Sequence, residues 1–426
     1  MTPVQGSYGK PLTYLVASTA ITAHTLNASK LVTGLVGAGH RVLWYAADRF
    51  ADQVARCGAE HLSASGDTSA GFETSLASSR TGELRRVRSL YRDQVVGRAA
   101  AQLGELRSLA GGLGVDAVLS DTLIPAAGLF AVGWGVPWAT FGDGPLLWWD
   151  EDTPPFGTGL PPLGGPAGRH RNRHVQAAID RWVFDPLFGD LHDLRRAVGA
   201  EPATSWRHAT MSSQLHLQGC TPGFEYPRQN LPAEIRFVGA LGPAHAVGDP
   251  LPPRLARANR SRPLALVTQG TLRPDLRELV LPAAQALVAE GFDVLVAGVG
   301  DGTWNRWPGR VTAMSRVDYV GALAEADLFV TNGGYTGVTL AVDAGVPIVQ
   351  AGNSEEKPDI GARVAWAGVG ASLRTTRPPA WLLRRTIRRV MTSAKRRRAS
   401  ERLARESRSY DAATLGAQLL GELVRA

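Results

Sequence analysis

Cysteine is scarce in this sequence, with Cys57 and Cys220 as the two among 426 residues. Two distant thiols exclude a disulfide-stapled secreted scaffold and a cysteine-ligated metal cluster, and they fit a reducing compartment. A signal peptide is not indicated either, because Lys10 alone precedes the first apolar run, residues 12–23. We therefore expect a cytoplasmic protein whose first apolar run is a buried strand.

Charge is absent from residues 122–142, a span of 21 residues that could cross a bilayer. Proline and glycine interrupt this span at Pro125, Gly133, Gly135 and Pro137. Such interruptions favour a buried helix, a turn and a strand over a transmembrane helix. No transmembrane span is expected.

Aromatic residues are absent from the most basic part of the chain. Residues 384–408 hold eleven Lys or Arg and two Glu, a local balance of +9, whereas the whole chain carries +8. A basic helical segment without aromatics is typical of a solvated face, so no nucleic-acid partner is expected. Peripheral contact with an anionic membrane surface fits the charge but has no other support in the sequence.

Strand-like and helix-like segments alternate along the chain. In the first half, strand patterns at 12–18, 40–47 and 115–121 flank helical patterns, among them 27–39. After a proline-rich break at 242–263, strand patterns return at 264–270, 292–300, 327–333 and 346–352. This alternation predicts an α/β fold of two Rossmann-like, doubly wound parallel-sheet domains that face a central cleft.

The expected domains are residues 1–241 and 264–408, joined by a linker at 242–263 and followed by an amphipathic helix at 409–426. Residues 150–175 are rich in proline and glycine, and we expect no regular structure there. A long irregular loop in a compact domain is usually a lid or a binding loop.

Two glycine-rich turns follow strands of the second half. The first turn, Asn332 to Gly334, precedes a helix that should begin near residue 335, and the second turn comprises Thr268, Gly270 and Thr271. The first amides of a helix lack internal partners and carry the positive end of its dipole, so they bind anions. Ordinary turn chemistry is the alternative for either turn alone. Two such turns together predict a diphosphate site.

The segment 332–370 resembles the nucleotide-sugar signature of the GT-B, family 1 glycosyltransferases. It matches that signature at Gly333, Gly334, Gly345, Pro347 and, among others, Arg363, and residues 19–47 are similar to the family's N-terminal pattern. The resemblance extends over the whole chain. It implies a UDP- or dTDP-sugar as co-substrate, no metal cofactor, and a final helix that crosses back to the N-terminal domain.

The sequence also departs from this signature. Asn332 replaces a histidine, Thr336 and Gly337 invert a Gly-Thr pair, and Leu340 replaces the carboxylate that binds ribose. Glu356 and Lys357 replace the Asp-Gln pair that binds sugar hydroxyls. We expect Asn332 to donate to a phosphate oxygen, and Lys357 to bind the sugar or offset the diphosphate charge, unless it is merely a surface lysine.

The resemblance assigns His24 as the catalytic base, which we place in a loop past the first strand. A histidine suits the removal of an acceptor proton at neutral pH. Asp121 ends a strand at the carboxyl edge, where it could accept the other ring N–H of His24. Asp116 begins the same strand and should lie at the opposite edge. The alternative is an exposed histidine without a role.

Tryptophans near the cleft indicate the acceptor class. Trp148 and Trp149, at the start of the proline-rich loop, are candidates for binding a lipophilic or aromatic small molecule, such as a secondary metabolite. The acidic run at 150–152 has the Asp-x-Asp form that holds a cation in other glycosyltransferases, but it lies away from both glycine turns. We expect no metal site.

The sequence thus predicts an inverting, metal-independent glycosyltransferase of natural-product or antibiotic biosynthesis. Two other functions remain open, because the signature is altered. The chain could be a non-catalytic GT-B auxiliary protein, although the presence of both His24 and Asp121 speaks against this. It could also epimerise or hydrolyse a nucleotide sugar without an acceptor.

Overall fold

The computed structural model describes residues 10–65, 88–270, 275–300, 307 and 309–426. The strands of these residues form two parallel sheets. They are β1 Thr13–Ala17, β2 Arg41–Ala47, β3 Glu60–Ala64, β4 Ala117–Asp121, β5 Trp138–Gly142, β6 Leu215–Gln218, β7 Ile235–Phe237, β8 Leu264–Thr268, β9 Asp293–Ala297, β10 Val311–Met314, β11 Leu328–Thr331, β12 Ile348–Gln350 and β13 Gly370–Ser372.

The α-helices of the same residues connect and cover these strands. They are α1 Thr22–Gly37, α2 Ala51–Arg56, α3 Gly97–Ala110, α4 Pro125–Trp134, α5 Gly165–Ile179, α6 Phe188–Ala197, α7 Trp206–Thr210, α8 Val280–Ala289, α9 Tyr319–Glu325, α10 Tyr335–Asp343, α11 Lys357–Trp366, α12 Ala380–Met391, α13 Ala394–Ser407 and α14 Ala412–Arg425. Two π-helical segments, Tyr91–Val96 and Asp180–Phe184, adjoin α3 and α5.

The first sheet has the strand order β3-β2-β1-β4-β5-β6-β7 in the described residues. Val16 of the central strand β1 lies opposite Trp44 of β2 and Leu119 of β4, and all three are fully buried. Strands covered on both faces are apolar throughout, which explains the continuous hydrophobic runs in the sequence. The chain reverses its strand order between β1 and β4, so a crevice opens at their carboxyl ends.

The second sheet repeats this plan with the order β10-β9-β8-β11-β12-β13. Val330 of β11 lies opposite Val267 of β8 and Val349 of β12. Here the order reverses between β8 and β11, and their carboxyl ends carry the two glycine turns. The predicted fold class of two doubly wound parallel sheets is confirmed.

Helix α14 packs against α1 on one face of the first sheet. Leu420 and Ala417 share a buried cluster with Leu31 and Leu35 of α1. A Cβ atom added at Gly34 would lie 2.1 Å from the carbonyl oxygen of Ala413, so only glycine allows this approach. Helix α1, which follows β1, is therefore covered by α14, from the opposite end of the described chain.

The uncharged span 122–142 forms α4 and β5, as predicted. Across the residues described here, no helix has both the length and the apolar character to cross a membrane. The prediction of an irregular segment at 150–175 is wrong, because α5 begins at Gly165. Proline in the first helical turn loses no hydrogen bond, so Pro166 starts this helix instead of breaking it.

Candidate active site

His24 lies in the first turn of α1, just beyond the carboxyl end of β1. Its placement in a loop was wrong, because the helix begins at Thr22. Residues 22–25 contain no helix breaker, and the amide of Thr25 already bonds the carbonyl of Ile21 at 3.1 Å. The predicted edge of the sheet is correct, and the imidazole, 17% exposed, lies at the crevice.

Two carboxylates face Nδ1 of His24. Asp121 ends β4 at the predicted edge, with Oδ2 at 3.4 Å, whereas Asp143, directly after β5, places Oδ2 at 2.7 Å. Asp143 was missed, although it also follows the carboxyl end of a strand. Nε2 makes no hydrogen bond with the part of the chain that the structure describes.

These carboxylates control the protonation of the imidazole. Burial alone would lower the pKa of His24, but Asp143 and then Asp121 outweigh burial and raise this pKa well above 6.5. A base of this kind is stronger than a free imidazole, and a larger fraction of it is protonated at neutral pH. A reaction that uses His24 as the base should therefore become faster as the pH rises through the raised pKa of His24.

The first glycine turn leads into α10, which begins at Tyr335, as predicted. Gly333 has a φ of 100°, and its amide donates to Oγ1 of Thr331 at 3.1 Å, so the prediction that this amide is unpaired was wrong. Within the described residues, the amides from Gly334 to Gly337 have no acceptor. These donors at the positive end of the helix can bind phosphate oxygens.

The second glycine turn adjoins the first. Gly270 has a φ of 75°, and its amide donates to Oγ1 of Thr268 at 3.2 Å, so it too is paired. Thr271 lies outside the described residues. Nδ2 of Asn332 donates to the carbonyl of Gln269 at 2.6 Å, so one of its donors links the two turns instead of being free for phosphate as expected.

Hydrogen bonds made by two polar side chains of the first half connect it to the start of α10. Oγ1 of Thr336 donates to Oδ1 of Asn27, which lies one turn after His24, at 3.0 Å. Nε2 of Gln218 donates to the Tyr335 hydroxyl at 3.0 Å and to the carbonyl of Gly144 at 2.9 Å. The segments that carry His24 and Asp143 are thus connected by hydrogen bonds to the first turn of α10. Neither Asn27 nor Gln218 was predicted, since no local pattern marks them.

Gly337 has a packing role in the structure. A Cβ atom at this position would lie 3.2 Å from Cζ of Phe329 in β11, so the missing side chain allows α10 to lie on the sheet. The two residues of the inverted Thr336–Gly337 pair therefore have different roles. Thr336 forms a hydrogen bond with Asn27 of α1. Gly337 allows α10 to pack closely on the sheet.

Lys357 is buried at the start of α11 and pairs through Nζ with Glu355, so it is not a surface lysine. A Cβ atom at Gly352 would meet Cδ of Lys357 at 3.0 Å and the carbonyl oxygen of Asn332 at 2.0 Å, which places the lysine stem close to the first glycine turn. The neighbouring Glu356 faces Tyr91 of the first half, whose pKa is raised by burial and further by Glu356 and Asp143.

A buried ion pair joins the two halves near this site. Glu225, between β6 and β7, receives Nη2 of Arg363 of α11 at 2.7 Å and Nη1 of Arg228 at 3.2 Å. Burial opposes the ionisation of Glu225, but both arginines outweigh it and lower its pKa to about 2. Glu225 also accepts the amide of Leu146, three residues after Asp143, at 3.1 Å.

A second contact between the halves holds the proline-rich loop. Asp359 of α11 accepts the amides of Gly157 at 2.9 Å and Gly159 at 3.2 Å. Burial raises the pKa of Asp359 to about 6, although Arg363 and these two amides oppose the shift. The loop is thus bonded to the half that carries the glycine turns.

Other side chains of the protein contact the two tryptophans that are predicted to bind the acceptor. The guanidinium of Arg207 lies 4.6 Å from the centre of the Trp148 ring and donates to the carbonyl of Trp149 at 2.7 Å. Trp148 also packs against the cluster of Leu146, Met211 and Ile235. The buried indole N–H of Trp149 has no partner among the described residues. Arg207 therefore covers one face of Trp148, which reduces the surface open to an acceptor.

The acidic side chains at 150–152 form hydrogen bonds and ion pairs with nearby residues of the same region. Oδ1 of Asp150 accepts the amides of Asp152 and Thr153, and the side chains of Glu151 and Asp152 lie 3.6 and 3.4 Å from Arg173 and Arg169, respectively. No cluster of three His, Cys, Asp or Glu side chains suited to a metal occurs within the described ranges.

A pair of glycine variants tests the first glycine turn. Gly333→Ala should destabilise the protein by about 1–3 kcal/mol, because alanine is strained at positive φ, and its Cβ would lie 2.7 Å from Nε2 of Gln350. Gly334→Ala is the matched control, since its φ is −63° and a Cβ there meets nothing within 4 Å. Thermal melting of both variants checks this prediction, and equal melting temperatures would contradict it.

No protein-family model matches the chain. The chain is 32% identical over 417 residues to 4'-demethylrebeccamycin synthase of Lentzea aerocolonigenes, which covers 96% of this chain and 99% of that enzyme. Its fold is similar to that of the glycosyltransferase of kitacinnamycin, with a TM-score of 0.76, 20% identity and coverage of 98% of this chain and 100% of that one.

A further solved structure with this fold holds a nucleotide. It is SsfS6, a glycosyltransferase of Streptomyces sp. SF2575 complexed with thymidine diphosphate, with a TM-score of 0.67 and 20% identity over 96% of this chain and 99% of that one. The extended sequence identity to the synthase, together with the two parallel sheets, establishes what kind of protein this is. The chain is a glycosyltransferase and belongs to family 1 of the GT-B fold.

Proposed function

We propose that this enzyme transfers a sugar, with inversion and without a metal ion, from a dTDP- or UDP-sugar to a lipophilic small-molecule acceptor. The observation that carries the proposal is the bond between Thr336 and Asn27, because it brings the helix of His24 against the unpaired amides of α10. A proton acceptor and an anion-binding helix start then face one crevice. The thymidine diphosphate in SsfS6 and the synthase activity of the Lentzea relative support this assignment.

In the proposed reaction, Nε2 of His24 takes the proton of the acceptor nucleophile. The nucleophile attacks the anomeric carbon from the face opposite the diphosphate, and the bond from that carbon to the phosphate oxygen breaks. Its electron pair leaves with the nucleotide diphosphate. The carboxylates at Nδ1 stabilise the imidazolium that forms.

The leaving diphosphate is stabilised by main-chain donors in this proposal. The amides of Gly334 to Gly337 and the dipole of α10 supply positive potential where charge develops. Lys357 lies next to the same turn and can add a full positive charge by exchanging Glu355 for a phosphate oxygen. Both cysteines are buried and unpaired, in keeping with a cytoplasmic enzyme.

Thermal shift with a panel of UDP-, dTDP- and GDP-sugars tests the donor. A true donor at a hundredfold its dissociation constant should stabilise the folded protein by about 2.7 kcal/mol. Products are then analysed with and without an aromatic acceptor. Release of free sugar or an epimer without acceptor would indicate the hydrolase or epimerase, and no shift with any donor would indicate a binding protein.

A further inference from the structure

The two carboxylates beside His24 differ in the bonds they already make. Asp121 is fully buried, and its oxygens accept the Thr19 amide at 2.5 Å, the Thr19 hydroxyl at 2.8 Å and the Leu123 amide at 2.8 Å. These bonds fix the turn that joins β1 to α1 and the turn that follows β4. The carboxylate oxygens of Asp121 are therefore largely engaged in hydrogen bonds to these two turns, one of which leads into the helix of His24.

Asp143 differs from Asp121 in its hydrogen bonds. Its Oδ2 atom is buried and accepts no hydrogen bond from the described residues, and it lies 2.7 Å from Nδ1 of His24. The two atoms are at ion-pair distance, but they do not form a well-aligned hydrogen bond. Catalytic hydrogen bonds are often misaligned before substrate binds and tighten in the complex.

The segment that carries Asp143 is also connected to the donor side of the crevice. The carbonyl of Gly144 accepts Nε2 of Gln218, which donates as well to the hydroxyl of Tyr335 at the start of α10. The amide of Leu146 bonds Glu225, the partner of Arg363. A movement of α10 or α11 on donor binding would therefore be passed to Asp143, whereas the hydrogen bonds of Asp121 in the described chain go to Thr19 and Leu123 of the first half.

We propose that Asp143, and not Asp121, is the positioning residue that holds the Nδ1 proton of His24 and directs Nε2 to the acceptor. Asp121 instead holds the turn at Thr19. This inference rests on the proposed function of His24 as the base. Among the described residues, Tyr91 of the first π-helical segment also faces Asp143, and Glu356 of the second half faces Tyr91.

Matched variants separate the two roles. Asp143→Asn removes the charge 2.7 Å from Nδ1, so the pKa of His24, followed by NMR of the imidazole and assigned with His24→Gln, should fall by about one unit or more. The acid limb of the pH profile of kcat/KM should move down with it, and kcat/KM on the plateau should fall about tenfold or more. Asp143→Glu should restore part of both.

Asp121→Asn is the control with the same change of charge. It should lower the melting temperature, because the two donors of Thr19 lose a charged acceptor, and it should move the His24 pKa less than Asp143→Asn does. A larger pKa shift in Asp121→Asn than in Asp143→Asn would overturn the proposal. Because the NMR titration needs no turnover, a failure of the proposed function would appear separately, as undiminished transfer by His24→Gln.

Discussion

Replacing His24 by alanine should lower the rate of sugar transfer by about 10²–10⁴-fold, the usual contribution of a general base. The reason is that no other titratable group in the described chain lies at Nε2, so the acceptor proton would have to leave to water. Initial rates with saturating donor and acceptor measure the loss. The rate should not recover at higher pH, since the variant has no imidazole to deprotonate.

Donor binding provides the control for this experiment. His24 lies on the first half, whereas the amides of α10 and Lys357 lie on the second, so His24→Ala should keep the thermal shift caused by the nucleotide sugar. Transfer rates within a few-fold of the unsubstituted enzyme would contradict the assignment of the base. A lost thermal shift would instead show that the substitution disturbed the crevice.

Arg363→Met should destabilise the protein by up to about 3–5 kcal/mol, the cost of breaking a buried ion pair, with Arg228 left as the remaining cation beside Glu225. Glu225 has no exposed side-chain surface, and Arg363 supplies the stronger of its two arginine contacts. Methionine keeps much of the side-chain volume, so lost packing is a small part of the effect. The midpoint of urea unfolding, followed by tryptophan fluorescence, measures it.

The double variant Glu225→Gln with Arg363→Met separates charge from packing. It removes both charges of the pair, so its effect should be smaller than the sum of the two single substitutions, with a coupling energy in the range of about 0.5–3 kcal/mol seen for contacting residues. Glu225→Gln alone completes the comparison, because it also takes the charge partner from Arg228. Additive effects of the two substitutions would show that the ion pair is not the cause.

Much of the fold was predictable because its signals are local. Apolar runs bounded by glycine gave the strands around Val16 and Val330, and each run is buried on both faces as parallel strands require. The start of α10 at Tyr335 followed from the two glycines before it. The segment from Gly165 was misjudged because proline and glycine were taken as breakers, whereas here they begin a helix.

The site was less predictable because its contacts are not local. Asp121 ends β4 and Asp143 directly follows β5, and the order of β1, β4 and β5 in the sheet decides which carboxylate approaches His24. The bond from Thr336 to Asn27 and the ion pair of Arg363 with Glu225 join residues far apart in sequence. A periodic pattern gives no information on such pairs.

The packing of α14 on α1 has a consequence for the order of events during translation. The ribosome releases α1 early, but its apolar face stays uncovered until the segment from Ala412 onward has been made, so a nascent N-terminal half presents that face to chaperones or to other polypeptides. Ribosome-bound nascent chains arrested before Ala412 should bind ribosome-associated chaperones more strongly than chains extended past Arg425.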